Sequence, residues 1–224
     1  MADEVISYAE LCFREGAHLR RGMTFRLRGG HSVLLMSVRR GAPYHDRVLE
    51  DGRVLLYEGH DAPRRAGADP KQLDQPQFTP QGALTENGKF FAAALSAKAG
   101  IQSPETVQVY EKLRDGVWTD NGFFALVDAT REHDGQRLVF VFRLQALDVA
   151  MADRAHPERR RVIPTEVKVE VWKRDGGRCV VCGATDDLHF DHILPYARGG
   201  SSSTAENVQL LCARHNLGKG DRLV

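Results

Sequence analysis

Cys179 and Cys182 form a Cys-x-x-Cys pair, and Cys212 with His215 repeats that spacing roughly 30 residues later. Three thiolates and an imidazole spaced this way are suited to one tetrahedral zinc ion, so these four residues predict a structural Zn2+ site. Other groups with chemistry are threaded between and beside them: the pair Asp191-His192, then Asn207, then Asn216 directly after His215. Metal-assisted hydrolysis of a phosphodiester takes a base to activate water and a divalent cation to neutralise the charge that develops on the leaving oxygen. His192 is the natural base, since an imidazole accepts a proton near neutral pH. Asp191 and Asn216 offer hard oxygen donors, which suit Mg2+ or Mn2+ better than zinc. Asn207 has a side-chain carbonyl that can fix the orientation of the imidazole. An alternative gives His215 to the catalytic metal and leaves zinc three protein ligands; the preserved two-residue spacer favours the zinc role. His189 is expected to pack or face solvent, without a catalytic task.

The surrounding pattern supplies elements to position these residues. Leu188 to Ile193 alternates like a short strand, Pro195 and Gly199-Gly200 turn the chain, and Val208 to Leu211 reads as a second strand. Ala213 to Lys219 then starts a helix carrying His215 and Asn216. Upstream, Thr165 is expected to cap a helix running through Trp172, ended by Gly176-Gly177. Strand, turn, strand and helix, with Asp-His on the first strand, Asn207 before the second and Asn216 on the helix, resembles the HNH nucleases of the ββα-metal class. The resemblance covers about 50 residues, from Trp172 to Leu223. It implies a zinc-braced nuclease domain with His192 as base, Asn207 as its orienter, and Asp191 and Asn216 as ligands of the catalytic ion. Many such nucleases carry a second Cys-x-x-Cys before the asparagine; here His215 stands in place of the last thiolate.

The first two thirds of the chain read differently. Glu4 to Glu15 is expected to be helical, with Val5, Ala9, Cys12 and Phe13 on one face, Cys12 as a buried filler and Gly16 as the stop. Strands are expected at Ser32 to Val38, Arg53 to Glu58, Thr106 to Leu113, Gly122 to Ala129 and Arg137 to Gln145. In the last of these, Leu138, Phe140, Phe142 and Leu144 share one face while Val139 and Val141 take the other, the mark of a strand buried on both sides. Asn87 to Ala99 reads as a helix closed by Gly100. The apolar pattern lapses from Ala150 to Pro164, which predicts a linker whose Arg159 to Arg161 could meet DNA phosphates. The expected organisation is therefore α+β: a sheet domain over 1–149, a linker over 150–164 and the zinc-braced domain over 165–224.

Several segments of the sheet domain resemble the SRA (SET-and-RING-associated, or YDG) family in type and order. They are Tyr44-His45-Asp46, the run Asp51 to Gly59, Asp74-Gln75, the helix near Asn87, Val107-Gln108-Val109, Asp120 to Val127 and the closing strand Leu138 to Leu144. The resemblance implies a curved sheet or barrel with flanking helices, and a pocket for a modified cytosine flipped out of duplex DNA. A flipped base loses its stacking neighbours, which two aromatic faces can replace, and its exocyclic amine needs an acceptor. Tyr44 and Tyr57 are the implied stacking pair and Asp46 the implied acceptor. Two departures bear on which modification fits: the loop Glu58 to Arg65 has fewer glycines than the family carries, and Gly41-Ala42-Pro43 replaces a pair of glycines before Tyr44.

Composition sets the frame. At 224 residues with 42% apolar content the chain can bury ordinary cores, and no apolar run has the length of a membrane span. The first residues lack the basic and apolar regions of a signal peptide, and four cysteines with three in a metal pattern fit a reducing cytoplasm. A net charge of +1 leaves nucleic-acid binding to local clusters such as Arg20-Arg21, Arg39-Arg40 and Arg64-Arg65. The expectation is a modification-dependent DNA endonuclease of the type IV restriction kind. It would act on double-stranded DNA containing 5-methyl- or 5-hydroxymethylcytosine, as a homodimer if one site per chain is to cut both strands. The competing readings are a nicking HNH enzyme that ignores base modification, and a zinc-stabilised DNA-binding module without activity.

Overall fold

In the first half of the chain the apolar alternation becomes β2 (Met23–Thr24), β3 (Ser32–Met36), β4 (Arg47–Leu49) and β5 (Val54–Glu58), after a short β1 (Glu4–Ile6). The long strands β6 (Glu105–Arg114), β7 (Val117–His133) and β8 (Leu138–Ala146) follow, and β9 (Leu188–His192) and β10 (Val208–Cys212) come last. Among the described residues four α-helices accompany them: α1 (Tyr8–Glu15), α2 (Glu86–Lys98), α3 (Thr165–Arg174) and α4 (Ala213–Lys219). The computed structural model describes residues 3–49, 52–64, 68–147, 162–194 and 203–219. The expected linker from Ala150, its Arg159 to Arg161, Arg65, and the turn residues Pro195 and Gly199-Gly200 lie outside the described residues.

The ten strands of the described residues belong to one curled sheet, in the order β10-β9-β1-β7-β6-β3-β2, with β8 joining β7 to β5 and β5 joining β4. Among the described residues it does not close into a barrel. β7 makes this layout possible because its 17 residues serve different neighbours along its length. Its first half pairs with β1 and β6, and its second half with β8. Register shifts at Val109/Tyr110 and Leu126/Asp128 bend the strands where the neighbours change.

The concave core is aromatic. Phe90 of α2, Phe124 of β7 and Phe140 and Phe142 of β8 are all fully buried, each worth roughly 1.5–3 kcal/mol of apolar transfer. Thr85 caps α2 by accepting from the Gly88 N–H at 3.2 Å. A second core lies under the hairpin β9–β10, where Ile163, Val167 and Val171 meet Leu188, Phe190, Val208 and Leu210.

Three expectations are corrected. Glu4 to Ile6 is a strand, not the start of a helix: it adds between β7 and β9, with Glu4 opposite both Asp120 and His189. Its partners are more than a hundred residues away, so no local pattern could announce it. The helix begins after Ser7, whose Oγ accepts from Glu10 N–H at 3.1 Å, and it buries Leu11 while leaving Phe13 86% exposed. Cys12 is only partly buried, against a cluster of Ile6, Leu11, Leu19, Val33 and Tyr110. Thr165 is not the cap of α3; that position is Pro164, and the Thr165 hydroxyl instead donates to the buried carboxylate of Glu111.

The last residues of the expected linker are firmly packed. Val162 is buried and its N–H donates to Gly52 O at 3.0 Å. A Cβ at Gly52 would stand 2.1 Å from Val162 O, so only glycine allows the approach. α3 then ties the two cores together. Near its start, Lys168, fully buried, donates to Glu111 Oε2 at 3.1 Å, Asn121 Oδ1 at 2.7 Å and Thr119 Oγ1 at 3.3 Å on β6 and β7. At its end, Arg174 donates to Ala205 O at 2.6 Å and Val208 O at 2.7 Å beside the hairpin.

Candidate functional site

The cysteines and His215 converge. Cys179 and Cys182 lie in the turn after α3, where Gly176 and Gly177 both take φ of +64° to reverse the chain; Cys212 ends β10 and His215 sits on α4. Their ligand atoms all lie within 4.8 Å of one another. Zn–S bonds of about 2.3 Å and Zn–N bonds of about 2.0 Å imply tetrahedral edges of roughly 3.8 Å between sulfurs and 3.5 Å between sulfur and nitrogen. The observed spacings are 3.8 Å for Cys182 to Cys212, 3.5 Å for Cys179 to His215 Nδ1 and 3.3 Å for Cys212 to His215 Nδ1. The donor set therefore fits zinc with all four residues, and His215 belongs to this cluster. Burial pushes the Cys179 thiol up, but the N–H groups of Cys212, Cys182 and Val181 outweigh it and hold the pKa at about 6.

Asp191 and His192 end β9, both half-buried, and α4 lies across the same hairpin. Asp191 Oδ2 accepts from Lys219 Nζ at 2.5 Å and from Gln209 Nε2 at 3.2 Å. Lys219 also donates to His192 O, and its side chain is only 3% exposed. Because Lys219 is one turn beyond Asn216 on α4, the Asp191 carboxylate faces the helix that carries Asn216. Asn207 holds the chain just past His192: its Oδ1 accepts from Leu194 N–H at 2.7 Å and its Nδ2 donates to Leu194 O at 3.0 Å. Its side-chain carbonyl, expected on the imidazole, is thus engaged by the main chain that follows it. His189 is 2% exposed, as packing requires, and burial lowers its pKa. Lys219 was missed by sequence reasoning, although its position three residues after Asn216 on a helix could have pointed to a shared face.

The residues expected to hold a base come together as well. Tyr44, Asp46 and Tyr57 line one cavity of about 360 Å³ together with His60, Arg21 and Arg39. Asp46 is 5% exposed, and its two oxygens accept from the N–H groups of Ser37 and Glu58, each at 3.0 Å. Burial raises its pKa to about 7 against those two bonds, with Glu58 and Glu111 adding to the rise. Tyr57 belongs to the core, with its hydroxyl donating to Gly22 O at 2.8 Å and lying 2.9 Å from His60 Nε2. Tyr44 stacks on His60 with centroids 5.3 Å apart and planes 11° apart. Beneath the pocket, Glu58 receives His45 N–H, Gln75 Nε2 and Arg137, and Arg137 also donates to Asp61 Oδ1 at 2.6 Å. These buried groups fix the loop after Tyr57. Sequence reasoning missed His60; its place just beyond the end of β5 was the available signal.

Comparison with known proteins places these observations. Residues 179–222 match the family described as HNH endonuclease. A CRISPR-associated endonuclease Cas9 from Corynebacterium diphtheriae is 28% identical over 127 residues, which is 53% of this chain and 10% of that protein. The chain thus spans about a tenth of the length of that relative. Among solved structures, the SRA domain of SUVH5 in complex with hemi-methylated CG DNA is similar, at 20% identity and a TM-score of 0.44 over 66% of this chain and 87% of that one. The type IV phosphorothioation-dependent restriction endonuclease ScoMcrA is similar over 98% of this chain and 55% of its own, at 14% identity and a TM-score of 0.44.

Proposed function

From an HNH endonuclease domain joined to an SRA-like sheet, we propose a modification-dependent DNA endonuclease. It takes a modified cytosine out of a duplex into the pocket of Tyr44, Asp46 and Tyr57, and it hydrolyses a phosphodiester nearby. His192 accepts the proton of the attacking water. Asn207, by clamping Leu194, positions the strand end from which His192 projects. Asp191 and Asn216 would hold Mg2+ or Mn2+, which when bound supplies charge neutralisation at the scissile phosphate. Zinc held by Cys179, Cys182, Cys212 and His215 would brace the hairpin and α4 and so keep these groups in position. The proposed division keeps a reader over 1–149, a linker over 150–164 whose last residues pack on both cores, and the nuclease over 165–224.

The observation that carries the nuclease half is the 2.5 Å contact of Lys219 Nζ with Asp191 Oδ2. It turns the carboxylate toward α4, the helix that carries Asn216. The reader half is supported by one buried carboxylate and aromatic rings lining a single cavity. Phosphate contacts position a nuclease but carry no sequence information, so selection falls to that cavity. One site per chain makes a homodimer the natural arrangement for cutting both strands.

The test is cleavage of matched duplexes that differ only in cytosine modification, with Mg2+ or Mn2+ and without either. Cutting confined to modified duplexes and to added metal is expected. Equal cutting of plain DNA would remove the base-reading half, and cutting by His192→Ala at the parent rate would remove the assigned base.

A further inference from the structure

His60 stands where the proposed pocket has its aromatic wall. It is stacked on Tyr44 at 5.3 Å, and its ring centroid is 6.1 Å from that of Tyr57. Directly stacked rings lie about 4.5–7 Å apart, so at 5.3 Å no third ring fits between Tyr44 and His60. The imidazole also rests against backbone: a Cβ at Gly22 would come 2.9 Å from its Nε2. Burial holds the ring well below its ordinary pKa, at about 4, so at neutral pH it is an uncharged aromatic plate.

What can move is equally defined. The main chain at His60 is pinned, since its N–H donates to Asn87 Oδ1 and its carbonyl accepts from Asn87 Nδ2, both at 2.8 Å. The ring is held by one stack and one hydrogen bond to the Tyr57 hydroxyl. It lines the 360 Å³ cavity that holds Asp46 and also a neighbouring cavity of about 530 Å³ bordered by Arg21, Lys71 and Glu86. His60 therefore forms part of the partition between two spaces, and the second gives the ring somewhere to turn.

We propose that His60 is a resident substitute for the flipped base, occupying the Tyr44 face in DNA-free protein, and that a base gains that face only by displacing the imidazole into the neighbouring cavity. The inference rests on the base-reading function proposed above and adds its threshold. Every incoming base must first outcompete an internal ring, so only one with additional favourable contacts in the pocket is retained.

Binding of the full chain to duplexes carrying one 5-methylcytosine, one 5-hydroxymethylcytosine or plain cytosine, without Mg2+ or Mn2+, tests it. His60→Ala removes the competitor and should tighten the preferred modified duplex roughly tenfold, equivalent to about 1.4 kcal/mol. Tyr44→Ala should weaken that same duplex. In the parent, the His60 ring-proton resonances should lie upfield under the Tyr44 ring current and move downfield on adding the modified duplex, but not the plain one. This second readout stands even if His60→Ala fails to fold. Weaker binding by a folded His60→Ala, or ring resonances unmoved by the modified duplex, overturns the proposal and leaves base reading intact. A parent that binds all three duplexes equally overturns base reading and this proposal with it.

Discussion

The hairpin with its Cys3His cluster and the cavity lined by Tyr44, Asp46 and Tyr57 solve opposite assembly problems. Cys179, Cys182, Cys212 and His215, which could hold zinc, and the groups assigned to cleavage fall between Cys179 and Lys219, on one turn, one hairpin and one short helix. The pocket instead draws Arg21 and Gly22, Arg39, Tyr44 with Asp46, and Tyr57 with His60 from separate loops and strand ends of a sheet that pairs β3 with β6 and β5 with β8 across long stretches of chain. A metal held there would let a short segment organise chemistry over the smaller of the two cores. Recognition of a base needs a cavity, and a cavity needs a large sheet to hold its walls apart. The fully buried phenylalanines under β5 and β8 serve that end.

The contrast breaks most visibly on removing zinc. Structural zinc contributes on the order of 10 kcal/mol to folding of such small sites. Cys212→Ala, or chelation of the parent, should therefore unfold the hairpin and α4 and abolish cleavage. Trp172, packed against the hairpin core, reports the loss by fluorescence. Modified-duplex binding should outlast cleavage, because Phe90, Phe124, Phe140 and Phe142 lie in a different core. If binding and cleavage vanish together, the two regions form a single cooperative unit.

A narrower cut is made with His192→Ala, which leaves the zinc ligands in place. Loss of a general base costs about 10²–10⁴ in rate, to be read under single-turnover conditions with Mn2+. Zinc content and modified-duplex affinity should match the parent. An equal loss of affinity would mean that His192 positions DNA and does not act as base.

The same contrast explains what the sequence disclosed. The hairpin was legible because its ligands recur at a fixed short spacing and its strands are neighbours in the chain. Helix α4 and strand β10 follow the expected limits closely. Strands β5 to β8 were legible from alternation, although β7 runs past both expected ends because its partners, and not its own pattern, set its length. Strand β1 was illegible, since three residues become a strand only when β7 and β9 are already beside them. His60 was hidden for a similar reason: nothing in Tyr-Glu-Gly-His says that the ring will fold back onto Tyr44, because Asn87 and Gly22, far away in sequence, make that path.

The joint between the regions offers the next test. Lys168 and Glu111 are both fully buried and paired at 3.1 Å, with Asn121 and Thr119 satisfying the ammonium and Thr165 the carboxylate. Lys168→Met strands the Glu111 carboxylate in the interior, which costs roughly 3–5 kcal/mol. Urea unfolding should show that loss, and Lys168→Met with Glu111→Gln together should recover part of it. A near-neutral single variant would mean that the network is solvated and does not bind α3 to the sheet.

The smallest expected effect is confined to the pocket and is seen only as a pH dependence. Asp46 has a native pKa raised to about 7 from an ordinary value of 3.8, chiefly by burial. An acid whose pKa is higher in the folded state keeps its proton longer than in the unfolded chain, so the folded state binds more protons across that interval. Stability contributed by this group is therefore greatest below about pH 4, falls as pH rises through the interval and levels off above about pH 7. The full loss is at most roughly 4 kcal/mol, from about three pKa units at 1.36 kcal/mol each. Asp46→Asn cannot ionise, and it gives up one of the two backbone bonds, from Ser37 or Glu58, at a cost independent of pH. The stability of parent minus variant, measured by urea unfolding at several pH values, should decline from pH 4 to pH 7 and then stay flat. A difference that is constant over that range would mean that Asp46 is ionised throughout, held by its two N–H donors against burial, and ready as an acceptor at every pH at which the protein works.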